Sequence, residues 1–168
     1  MKYKLLTNET KIHAGVTLYR IQALKDFSNV MAGDKGGWIE KESNLSQNDR
    51  AWIYDNANVY GSAQVVGDAR VYGNAKVYGN AWIGGHAKIY GNAKVYGDAW
   101  IYDFAEVYDN AEIYDNARVY GNEKVSGNTE VYDNAGVYDD AKIYGKVKVY
   151  GNAEVFGNAI IDGYTEVY

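Results

Sequence analysis

The chain has no cysteine and no proline, and among its 168 residues there are only two histidines, His13 and His86. Without cysteine there are no disulfides and no thiolate metal sites. Two histidines are too few for a zinc centre built on three, so no metal and no cofactor is expected. No apolar run approaches the roughly 18 residues of a membrane helix. The opening MKYKLLTNETKIH also lacks the apolar core of a signal peptide, which makes the cytoplasm the expected compartment and a membrane an unexpected partner. The net charge is −5, with acids and bases interspersed. That pattern argues against a nucleic-acid partner, which calls for a basic stripe. Phosphate loops, dinucleotide fingerprints and nucleophile motifs are absent as well.

Tyrosine and glycine are abundant, at 18 and 19 residues, and the reason is a repeat. Valine or isoleucine stands at position 53 and at every sixth residue after it, from Ile53, Val59 and Val65 through to Ile161 and Val167 without a slip. Four residues later comes a small residue, nearly always alanine, as in Ala57, Ala63, Ala69 and Ala75. The unit approximates Val-Tyr-Gly-Asn-Ala-Lys. Its Ala-Lys-Val-Tyr part alternates like a strand, with Ala and Val on one face, while Gly-Asn or Asp-Asn supplies a corner. Strands this short bury a core only by coiling, each stacked on its equivalent about 4.8 Å away in the next turn.

An aliphatic residue followed four positions later by a small one resembles the hexapeptide-repeat family, and the resemblance covers residues 53 to 168. It implies an all-β, left-handed parallel β-helix: a three-sided solenoid of six to seven coils, roughly 30 Å long. The segments LYRIQALKDF (18–27), GGWIEKESNLS (36–46) and AWIYDNANVYG (51–61) further resemble the YdcK-like proteins of bacteria and phages. Members of that group are labelled transferases on the strength of their fold, which says little about function. Two regions are expected: an N-terminal, β-rich capping segment over 1–50 and the solenoid over 51–168. In the first, Lys2–Leu6 and Val16–Leu24 read as strands and Gly33–Gly37 as a tight connection. At the other end, Ile160 and Ile161 lie near the last coil, whose strand edge invites association.

With three hexads per coil, every eighteenth residue stacks. One face carries an unbroken ladder from Tyr60 to Tyr168, and a second carries Tyr54, Tyr72, Tyr90, Tyr108, Ser126, Tyr144 and Asp162. The third has few charges and holds Trp82, Trp100 and Tyr102, with Gly84 leaving room beside Trp82. An apolar surface of this extent usually contacts something; the N-terminal segment or a neighbouring subunit is expected to cover it. The tyrosines suit strand stacking in their own right, at about 0.2–1 kcal/mol per rung.

Two local exceptions stand out. His86 replaces asparagine at a corner, one coil after Asp68, so an Asp–His pair is a candidate general base; the plainer reading is a polar corner. Glu123 occupies an inward small-residue position, and three residues later Ser126 breaks the second ladder. A carboxylate there is costly unless partnered, so the expectation is that Glu123 turns outward, with a ligand or interface contact at Glu123 and Ser126 as the alternative. The function expected is a non-catalytic binding or interaction protein, a homo-oligomer (trimer or dimer) presenting aromatic faces or inter-subunit clefts to a protein or small-molecule ligand, including a nucleotide-like one. Trp82, Trp100, Tyr102, Glu123 and Ser126 are its candidate binding residues. The alternatives are an acyltransferase using His86 at a subunit cleft and a structural assembly element. Against the first, twenty unbroken hexads leave no room for the extruded loop common in acyltransferases of this fold.

Overall fold

A computed structural model describes residues 1–168. The hexads coil into a three-sided parallel β-solenoid. Face I holds the strands Asn58–Val59, Lys76–Val77 and their successors to Glu166–Val167. Face II runs from Gln64–Val65 to Glu154–Val155, and face III from Trp52–Ile53 to Ile160–Ile161. Each strand pairs with the one eighteen residues on, as in Lys94↔Glu112 and Ile89↔Val107. Most strands are two residues long, shorter than the four that the alternation predicts, because the tyrosine already begins the turn. Only Trp100–Asp103, Arg118–Gly121 and Gly136–Asp139 on face II run through four. The valine, isoleucine and alanine columns are fully buried from Ala51 to Val149 and form one continuous core.

The corners explain the Gly-or-Asp alternation. Their first residue takes positive φ, for example 70° at Gly79, and a Cβ there would stand 2.9 Å from the backbone nitrogen of Gly97. Aspartate occupies the same conformation at Asp55 and Asp133, with φ of 53° and 58°. Its carboxylate offsets part of that strain by accepting the backbone N–H of the next coil's glycine, Gly73 and Gly151 respectively, each at 3.0 Å.

The N-terminal segment extends face I. Strand β1 (Tyr3–His13) pairs antiparallel with β2 (Val16–Ala23), and β2 pairs with β3 (Lys35–Ile39). β3 then joins the solenoid in parallel, with Ile39 opposite Val59. The expected tight connection at Gly33–Gly37 is therefore partly a strand. Gly36 packs so closely on the first coil that a Cβ would lie 2.6 Å from the Ile53 carbonyl oxygen. Lys2 is buried: its Nζ donates to the carbonyls of Ala51 at 2.7 Å and Asp49 at 3.1 Å. The loop after β2 lays Phe27 edge-on against Trp52 at 5.3 Å, which places it over face III. Face II is thus left uncovered by this segment, contrary to one of the two covers expected for it. Trp100 is 50% exposed, and Trp82 is half-buried because its ring folds over Gly84. No helix of the chain is long and apolar enough to cross a membrane.

Candidate functional site

Two corners of the prism carry asparagine ladders. Asn74, Asn92, Asn110 and Asn128 hand hydrogen bonds from coil to coil between faces III and I, as do Asn116, Asn134 and Asn152 between faces I and II. The corner between faces II and III breaks the pattern: its column reads Arg50, Asp68, His86, Phe104 and Asn122. Beside it on face III runs the charged row Arg70, Lys88, Glu106 and Lys124, the counterpart of Lys76, Lys94 and Glu112 on face I. The two columns line a groove of about 470 Å³, with Ser28 of the N-terminal loop at one end.

Within the groove Arg50 clamps Asp68, its Nε donating to Oδ1 at 2.8 Å and its second guanidinium nitrogen to Oδ2. These bonds hold the Asp68 carboxyl below its ordinary range. His86 Nδ1 approaches the same carboxylate at 3.4 Å, and the imidazole stacks on Phe104 with ring centroids 4.7 Å apart. Lys88 Nζ donates to Glu106 at 2.8 Å, Lys124 stands 3.7 Å from the same side chain, and the Lys88 bond chiefly lowers the Glu106 pKa. Arg70 touches Ser28 Oγ at 3.3 Å and pairs with no carboxylate. The lining thus sets four permanent cations against two carboxylates on a chain whose net charge is −5. Fixed cations beside exposed aromatic rings favour an anionic ligand with a flat apolar part. No group of three or more His, Asp or Glu side chains is placed to hold a metal ion.

Of the residues singled out from the sequence, Asp68 and His86 lie in this groove. Trp82, Trp100 and Tyr102 form a separate aromatic surface on face II, where Trp82 and Trp100 are 5.5 Å apart with planes tilted by 38°. Ser126 sits on face III beyond Lys124. Glu123 does not turn outward: it is 0% exposed, inside the coil, with both carboxyl oxygens unpartnered. The corner opens for it. Gly121 has φ 104°, far from the 66–73° of Gly67, Gly127 and Gly157, and the turn bond that Ala105 makes to Tyr102 has no counterpart at Glu123. Sequence reasoning missed Arg50, Arg70, Lys88, Phe104 and Lys124. Writing out the column two residues before each rung of the face III ladder (Tyr72, Tyr90, Tyr108 and Ser126), next to the corner column, exposes all five.

The comparisons with known proteins bear on the coils. Residues 69–85, 87–103 and 111–127 match the YdcK Beta solenoid repeat. Over 40 residues, 24% of this chain, there is 50% identity to a protein of Escherichia coli (strain K12) described as "Uncharacterized acetyltransferase YdcK". The aligned stretch spans only 12% of that protein's length.

Proposed function

From coils that are YdcK-type β-solenoid repeats, we propose a non-catalytic binding protein whose groove between faces II and III takes a small anionic ligand. The observation that carries the reading is a juxtaposition: beside the Arg70–Lys88–Lys124 row the corner column reads Arg50, Asp68, His86 and Phe104, where the other two corners carry runs of hydrogen-bonded asparagines. A ladder of amides needs no ligand. An arginine without a carboxylate partner and a solvent-facing His86–Phe104 stack contribute little to the coil and are suited to a guest. The test uses inorganic pyrophosphate in titration calorimetry, in low salt. Binding should weaken at least tenfold in Arg70→Gln with Lys88→Gln and fall with added salt. Equal affinity in the double variant would refute the assignment.

One observation favours a second reading, acyl transfer: His86 reaches Asp68, the arrangement that orients a general base. Against it, Asp68 is already committed to Arg50, and the coils pass the groove without the extruded loop expected of such enzymes. Incubation with acetyl-CoA and a panel of amine acceptors separates the two. Thiol release abolished by His86→Ala supports the enzyme; release at the buffer rate in wild type leaves the binding reading.

A further inference from the structure

Two residues beyond Lys124, at the end of the groove's lining, the tyrosine ladder of face III has a gap. Tyr72, Tyr90 and Tyr108 stack with centroids 4.7 and 4.9 Å apart and nearly parallel planes. At the next rung the side chain is Ser126, and at the one after it Tyr144. Tyr108 therefore ends its stack with one ring face unpartnered. Tyr144 is 42% exposed and stacks on no other ring. Two parallel strands away from each other, these tyrosines frame a rung that lacks its aromatic ring. Ser126 forms the floor of that rung and is itself buried. A ring inserted at the ladder's own spacing would meet both neighbours within the range of offset stacking, about 4.5–7 Å between centroids.

Charge marks which kind of ring fits. Beside the missing rung, Lys124 and Lys142 are paired in register on adjacent strands, and both are exposed. Like charges directly opposite each other destabilise a sheet. Glu106 answers only one of them, 3.7 Å from Lys124, and the rung beyond Lys142 is Ile160. An anion seated here relieves that repulsion. We propose that the Ser126 rung is a stacking slot for a planar aromatic ring whose attached anionic group lies on Lys124 and Lys142. The ligand class is then a small aromatic anion of the nucleoside-phosphate kind. This deepens, and rests on, the reading of the cationic groove as an anion site.

The test compares AMP with ribose 5-phosphate, which has the same anion without the ring, on wild type and on Ser126→Tyr. That substitution completes the ladder and should preserve the fold, which melting temperature checks. Wild type should bind AMP at least tenfold more tightly than ribose 5-phosphate, and Ser126→Tyr should erase the difference while retaining pyrophosphate binding. Lys142→Gln should weaken AMP and leave pyrophosphate in the groove unchanged. If wild type shows no preference for AMP, or Ser126→Tyr binds AMP as wild type does, the slot is refuted, whatever pyrophosphate does. A dimer that Ser126→Tyr dissociates, with AMP affinity unaltered, would equally overturn it by giving the rung to a side chain of a second copy. Loss of pyrophosphate binding from wild type would instead sink the groove itself.

Discussion

At Glu123 a carboxyl group stands in the column that elsewhere reads Ala87, Ala105 and Ala141. Burial pushes its pKa up to about 8, and repulsion from Asp103, Asp139 and Asp140 adds to it. The folded chain keeps this proton through a range in which the unfolded chain, with a carboxyl pKa near 4.3, releases it. Stability is therefore fullest below about pH 4.3 and is lost as pH rises towards 8, by a few kcal/mol in all. Glu123→Ala restores the repeat. Denaturant melts at pH 5 and pH 8 should differ markedly in wild type and much less in the variant, which should also be more stable at pH 8. Parallel curves would show that the carboxyl is not held neutral. The sequence marks Glu123 as exceptional, but which way it points depends on how far the corner at Gly121 can open, and no periodicity encodes that angle.

Among the elements, the N-terminal hairpin is pinned by a single buried cation. Lys2 Nζ serves the last carbonyls before the first coil, and its burial lowers its pKa to about 8 despite the nearby Asp49 carboxylate, 3.6 Å away. In Lys2→Ala those acceptors lose their donor, a local cost on the order of 2 kcal/mol. Hydrogen exchange should then quicken roughly thirtyfold at the β1 amides and stay unchanged around Ile101 and Ile113. Uniform acceleration along the chain would mean that hairpin and solenoid open as one unit. Ladders were the most legible elements, since an eighteen-residue stride lines up Tyr78, Tyr96 and Tyr114 on paper as they stack in space, 4.8 and 5.0 Å apart. The groove was not legible in the same way. It lies between two columns, and only the turn angle at Gly67, Gly85 and Gly121 brings Asp68 and His86 beside Arg70 and Lys88. The first ring of the second ladder also departs from the stack: Tyr54 lies edge-on to Tyr72 at 88°, its hydroxyl donating to Asn29 at 2.9 Å.

For the whole molecule, face II is an uncovered aromatic surface, with Trp100 50% and Phe156 56% exposed and Tyr102, Tyr120 and Tyr138 stacked between them. We propose that copies of the chain associate through it. Native mass spectrometry should show an oligomer that Trp100→Glu reduces to monomer, with pyrophosphate binding retained; a monomeric wild type at micromolar concentration would end the proposal. The regular stride of the coil has one more consequence, for how such a protein tolerates insertion and loss of sequence. Removing eighteen residues shortens the prism and returns every later side chain to its own face. Removing six, for instance 111–116, also keeps alanine over alanine and valine over valine, but it turns everything downstream by a third of a revolution. Lys124 and Lys142 would then leave the line of Arg70 and Lys88, so the chain should fold and keep the groove's first coils but lose the slot proposed at Ser126. Length in this architecture is a free variable only in whole turns, and the hexad that builds the wall is three times finer than the unit that preserves what is written on it.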